Sequence, residues 1–219
     1  MKNRFILFAL IATAHLSAQV HKTEFGAEMG PGLSTMRGNA QLDMSKIPAP
    51  AFTGGVFFEY HFTDHFSLRT GLGIERKAGT TTGSVTDATG LHIGEFRYRI
   101  DLDYLNMPLL LRYSTGKKTK LFVNAGPYAA YLIQATSSIR HPFIDGAQVE
   151  RGQERFYNQL DAGVSGGLGV SVPVDAFKLS AEIRHNYGLY NVSAVPVYRD
   201  GQIKTNVTLL IIGCSYRFS

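Results

Sequence analysis

Phe177-Lys-Leu-Ser-Ala-Glu-Ile-Arg-His-Asn-Tyr-Gly-Leu189 alternates along most of its length. As an extended strand it would carry Phe177, Leu179, Ala181, Ile183, Tyr187 and Leu189 on one face. Lys178, Ser180, Glu182, Arg184, Asn186 and Gly188 would lie on the other. Successive side chains of a strand point to opposite sides, so one face is greasy and one is wet. The greasy face has to be covered, either by a protein core or by lipid. Which of the two covers it decides the kind of protein.

The same period-two reading, carried outward, finds eight segments, at residues 22–33, 51–62, 66–78, 94–113, 120–135, 155–172, 177–190 and 203–218. The connectors 63–65, 114–119 and 173–176 are short and rich in turn-forming residues. Those at 34–50, 79–93, 136–154 and 191–202 are longer. Short and long alternate throughout. An up-and-down barrel gathers every second connector at one end, and outer-membrane barrels keep short turns on the periplasmic side and longer loops outside. A tilted strand of twelve residues rises roughly 30 Å, enough to cross a hydrocarbon core. The expectation is an all-β, eight-stranded antiparallel up-and-down transmembrane barrel in the cell outer membrane, with both termini periplasmic.

Glycine sorts the two faces. Gly71 and Gly73 share parity with Arg69 and Glu75, and Gly163, Gly167 and Gly169 share it with Asp161. An eight-stranded barrel has a lumen only wide enough to be filled by side chains, so long charged residues inside need small ones beside them. The charged face is therefore read as lumen and the apolar face as lipid contact. Tyr60, Phe62, Phe66, Tyr113, Phe177, Tyr216 and Phe218 would form a girdle at the short-turn end. Tyr98, Tyr131, Tyr187 and Tyr190 would form one at the loop end. In the fourth segment Phe96, Tyr98, Ile100 and Leu102 have one parity, while Met107, Leu109, Leu111 and Tyr113 have the other. A β-bulge around residues 104–106 would reset the register, and Pro108 suits such a place.

On this parity the inward ionisable set is Glu59, Arg69, Glu75, Arg97, Arg99, Asp101, Asp103, Arg112, Glu182, Arg184 and Arg217. Both signs are present in comparable numbers, as a packed network of buried pairs requires. Such a network plugs the lumen, whereas water-filled porins use about sixteen strands.

The N-terminus reads as a secretory signal peptide over residues 1–18. Basic Lys2 and Arg4 precede an apolar run too short to span a bilayer, and small residues follow to Ala18. Residues 19–219 are left as the barrel. Removing Lys2 and Arg4 from the 22 basic residues leaves 20 against 17 acidic ones, a net of +3 without a basic run. That excludes a nucleic-acid footprint. Cys214, the single cysteine, makes no internal disulfide and reads as a small wall residue. No metal-ligand spacing or cofactor motif is found. The pairs Gly71/Gly73 and Gly167/Gly169 sit within strands and open no helix, so they cradle no phosphate.

Residues 104–113, Asn124-Ala-Gly-Pro-Tyr128, the glycine-rich sixth segment, Arg184-His-Asn-Tyr-Gly-Leu189 and the closing residues 213–218 resemble the PorT-like outer-membrane β-barrel family. The fold is also similar to OmpX- and OmpA-like small barrels. The resemblance implies an outer-membrane barrel and, for some members, support of protein secretion across that membrane. No catalytic residue carries over.

His92 has Ser84 and Asp87 near it in sequence, and His141 has Ser137, Ser138 and Asp145, but no spacing fixes a catalytic triad. His185 falls on the lipid face. The loops are left as the working surface, with Arg140, His141, Phe143 and Ile144 as a candidate partner loop. The leading expectation is a monomeric, non-enzymatic barrel contacting outer-membrane lipid and serving a secretion machinery or another envelope protein. A lipid-modifying acyl hydrolase or transferase and a narrow channel are the alternatives.

Overall fold

The computed structural model describes residues 23–38, 47–142, 146–197 and 201–218. The expected signal peptide lies outside them. Among the described residues nine strands form one sheet: β1 (Thr23–Arg37), β2 (Ala49–His61), β3 (Phe66–Thr86), β4 (His92–Thr115), β5 (Lys120–Arg140), β6 (Ala147–Arg151), β7 (Leu160–Val174), β8 (Phe177–Gly188) and β9 (Lys204–Arg217). Eight of them close a ring in the order β1-β2-β3-β4-β5-β7-β8-β9, every pairing antiparallel, with β9 returning to β1. This is the eight-stranded up-and-down barrel the alternation predicts. The short β6 stands outside the ring and pairs only with the top of β5.

The wall faces lipid with the predicted residues. Met107, Leu121, Leu168, Ile183 and Ile212 are all more than half exposed. From Phe177 to Tyr187 the belt rises about 25 Å, the height of an outer-membrane apolar band. At the short-turn end Tyr60 packs on Phe62, Phe66 on Tyr113, and Phe177 on Tyr216. The register there sets Glu24 opposite Arg217, so both ends of the barrel chain lie at this girdle. Asp175 adopts a positive φ of 53° in the tight β7–β8 turn, a conformation Asp tolerates better than most residues.

The other end departs from the sequence reading. Residues 79–93 are not a long loop: β3 and β4 continue upward as a hairpin closed by residues 87–91. There the Asp87 carboxylate accepts the N–H groups of Thr89 and Leu91, each at 2.9 Å. Residues 136–154 likewise continue β5 and fold back as β6, and the next ring strand starts at Leu160 rather than 155. These stretches are rich in Thr, Ser and Gly and face water outside the barrel, so they lack the apolar alternation that marks a lipid-facing strand.

The predicted bulge at 104–106 is also corrected. β4 keeps one parity, with Leu102, Tyr104 and Leu110 fully buried and Leu105, Met107, Leu109 and Leu111 exposed. The irregularity belongs to β5: Asp103 faces Gln134 but Tyr104 faces Leu132, so Ile133 drops out of the ladder. The apolar residues of β4 change face because the surroundings change. Beside the membrane the outside is lipid and the inside is ionic, whereas above it the outside is water and the inside is an apolar core.

Candidate functional site

Three layers occupy or surround the lumen, each set by what the neighbouring strands point inward or outward. The lowest is ionic. At the mouth Glu24 takes Arg217 at 2.8 Å, Lys178 and, at 3.0 Å, His61. Above it Arg112 joins Glu59 (3.1 Å) to Glu182 (3.3 Å). Arg184 holds Glu182 at 2.6 Å and Glu28 at 2.8 Å, and Glu28 also takes Arg69. Higher still, Lys77 bonds Asp161 at 2.7 Å and lies 3.5 Å from Glu75. Asn106 and Asn186 donate to Glu75, and Thr205 donates to Asp161. Six carboxylates (Glu24, Glu28, Glu59, Glu75, Asp161, Glu182) thus meet six cations (Arg69, Lys77, Arg112, Lys178, Arg184, Arg217). Buried charges in low dielectric require such pairing.

Aromatic rings carry part of this layer. Arg69 stacks on Phe57 at 3.3 Å and Arg112 on Phe122 at 3.9 Å. A Cβ on Gly26 would lie 2.6 Å from the Phe57 ring, and one on Gly169 2.5 Å from that of Phe122. Each glycine opens the space for a ring, and each ring bears a guanidinium. A cavity of about 20 Å³ bounded in part by Glu28, Arg69, Asn106 and Arg184 has room for one water.

The second layer is apolar. Met36, Leu102, Tyr104, Tyr128, Ala130, Leu132, Ala135 and Val192 are packed together with almost no exposure. Val192 and its neighbour in the cluster Ile203 come from the β8–β9 connector, and Tyr157 from the β6–β7 connector, so the outer connectors fold over the lumen. Burial, with Tyr98 nearby, pushes the Tyr157 phenol up to about 12. The N–H of Ala135 donates to Glu154 at 3.0 Å and holds that carboxyl below its ordinary value. Ions crossing the barrel would have to pass a neutralised charge lattice and then a dry plug.

The third layer is the outer surface of β3–β6 above the belt. Arg97, Arg99, Asp101 and Asp103, expected in the lumen, lie here. Arg76 forks onto Asp103 at 2.6 and 2.7 Å, and Arg99 binds Asp101 at 2.6 Å. They face out because β4 has no bulge, so their parity is that of Met107 and Leu109. The other expected lumen residues, Glu59, Arg69, Glu75, Arg112, Glu182 and Arg184, are inside and connected, and Arg217 sits half-exposed at the mouth. Missed were Glu24, Glu28, Lys77 and Lys178. Lys77 and Lys178 continue the parity assigned inward on β3 and β8, while Glu24 and Glu28 are signalled by their alternation with Phe25, Ala27 and Met29 on β1.

Of the candidate partner loop, Arg140 ends β5 and is exposed, and His141 follows it. Phe143 and Ile144 lie outside the described residues. His92 stands at the start of β4 and His141 follows the end of β5. His185 is on the lipid face with Nδ1 2.9 Å from the Thr208 hydroxyl. Among the described residues no group of three or more His, Cys, Asp or Glu side chains is placed to hold a metal.

A closed antiparallel barrel with an apolar belt, a paired ionic lumen and strands that outrun the membrane defines an integral outer-membrane β-barrel protein. The comparisons agree: a model of the outer membrane protein beta-barrel domain matches residues 14–194, and the chain belongs to that family. Solved structures that it resembles include Ail, the attachment invasion locus protein of Yersinia pestis, in complex with a heparin analogue (13% identity, covering 90% of this chain and 99% of that one, TM-score 0.44). Neisserial surface protein A is another (13%, 89% and 97%, TM-score 0.46), as is outer membrane protein W of Escherichia coli (14%, 90% and 99%, TM-score 0.43). No curated protein sequence matches the chain. The protein is located in the outer membrane.

Proposed function

We propose that this barrel is a non-enzymatic interaction protein that assists protein export across the outer membrane, its working surface being the sheet that β3–β6 raise above the bilayer. The observation that carries this reading is the filled lumen: among the described residues charge pairs occupy it below and an apolar cluster above, which favours the outer surface as the place of work. Two further features support it. Beyond Arg76 the free side of β3 is held, among the described residues, by the Ala78 N–H donated to the Ser34 hydroxyl at 2.9 Å and by the bridge from Ile47 to Thr80, and no strand pairing is formed on that side past Thr80. The run Thr81-Thr-Gly-Ser-Val-Thr86 carries no charge and no proline, the devices that usually protect an edge, so it suits strand addition by an extended partner. The segments that resemble PorT-like barrels support the export role.

The test is secretion in a strain lacking the gene. Loss of exported proteins from the medium, restored by the wild-type barrel but not by a Ser84→Pro variant that still inserts, is the expected result. Normal export in the deletion strain would overturn the proposal.

A further inference from the structure

On the raised sheet, Arg97 of β4 stands directly opposite Arg140 of β5. Like charges directly opposed on a ladder repel, and sequences normally avoid them. The neighbouring cations are neutralised: Arg76 by Asp103 and Arg99 by Asp101. Among the described residues neither Arg97 nor Arg140 has an ion-pair or hydrogen-bond partner. Thr82 completes the row on the other side of Arg97. Together with Phe96, His141 and Glu95 these residues line a concave surface of about 440 Å³. Glu95 is two residues from Arg97 on the same face, and no ion pair joins them.

We propose that Arg97 and Arg140 form a clamp for a phosphate or sulfate monoester borne on a surface glycan. Two guanidiniums on adjacent strands present paired N–H forks to one tetrahedral oxyanion, whose charge would turn the repulsion into attraction. The Thr82 hydroxyl adds a neutral donor at the edge. Height selects the source. Arg97 lies eight residues up β4 from the belt residue Leu105, roughly 20 Å along the membrane normal. That is beyond the reach of a lipid headgroup and within the saccharide layer above it.

The full-length barrel in zwitterionic nanodiscs, titrated with inositol hexakisphosphate and separately with inorganic phosphate, tests the clamp. Arg97→Gln and Arg140→Gln should each weaken binding of the hexakisphosphate by about tenfold or more. Arg151→Gln, which removes another exposed arginine on β6, should change it less than threefold. With no anion present, Arg140→Gln should leave the unfolding midpoint unchanged or raised, since it relieves a repulsion. Undiminished binding by the Arg97→Gln/Arg140→Gln pair, or an equal loss with Arg151→Gln, would overturn the clamp. A matching titration in nanodiscs containing anionic lipid separates the sources. Unchanged affinity for the probe supports a glycan ligand, and competition by the lipid would overturn that assignment.

Discussion

Replacing Lys77 with Met tests the ionic layer where it is least redundant. Lys77 and Asp161 have side-chain exposures of 1% and 0%. Among the described residues Lys77 is the one cation within ion-pair distance of either Glu75 or Asp161. Its ammonium also sits 4.2 Å from the Tyr128 ring and 5.3 Å from that of Tyr104. Methionine keeps much of the stem packing and removes the charge, leaving two buried carboxylates with only neutral donors. Breaking a buried pair in this way costs about 3–5 kcal/mol, and the loss of both pairings puts Lys77→Met near the top of that range. Arg184→Met should fall near 3 kcal/mol, because Glu28 keeps Arg69 and Glu182 keeps Arg112. Adding Asp161→Asn to Lys77→Met should restore about 1–2 kcal/mol, since Tyr128 and Thr205 can donate to an amide oxygen. The chain has no tryptophan, so unfolding in urea is followed in lipid vesicles by the band shift of folded barrel on cold gels, supported by circular dichroism. A Lys77→Met barrel within about 1 kcal/mol of wild type, or a double variant no more stable than the single, would refute the reasoning that this pair is a compensated buried charge.

Other consequences follow from the layers. In planar bilayers the purified barrel should show no stable open conductance; a steady ohmic current would contradict a lumen closed by charge pairs and plug. Met107→Arg, in the middle of the lipid belt, should cost about 2–4 kcal/mol of folding free energy in vesicles. Asp101→Arg, on the water-facing side of the same strand, should cost much less and chiefly loses the pair with Arg99, so equal effects would place the two residues wrongly. Gly169→Val should drive the Phe122 ring off its seat beneath Arg112 and cost about 1–3 kcal/mol, read by the same gel shift.

How much was legible in the sequence follows from what each face touches. Lipid on one side and packed charge on the other produce strict alternation, so β8, β9 and the lower halves of β3, β4 and β5 were readable residue by residue. Glycines beside charges assigned the lumen face correctly; Gly169, for one, makes room for the Phe122 ring that carries Arg112. The reading failed where the medium changes. Above the belt the outside of β3 and β4 meets water, so Thr80 to Thr86 looked like loop. Leu102 and Tyr104, which fill an apolar plug, looked like residues on the wrong face. The bulge was inferred to explain a shift that comes from a membrane boundary, and Arg97, Arg99, Asp101 and Asp103 were placed inside as a result. The real irregularity, at Ile133, leaves no mark in a chain read without its partner strand. The clamp pair was invisible for a similar reason: Arg97 and Arg140 are far apart in sequence, and only the β4–β5 register sets them face to face.

The central claim is that β4 is turned inside out at the membrane edge, apolar outward below and apolar inward above. Single cysteines placed at Arg99, Asp101, Leu102 and Leu105 in a Cys214→Ala background, and challenged on intact cells with a membrane-impermeant maleimide, test it directly. Arg99→Cys and Asp101→Cys should label readily, with Leu102→Cys shielded in the plug and Leu105→Cys shielded by lipid. Labelling at Leu102→Cys with protection at Arg99→Cys and Asp101→Cys would contradict the account.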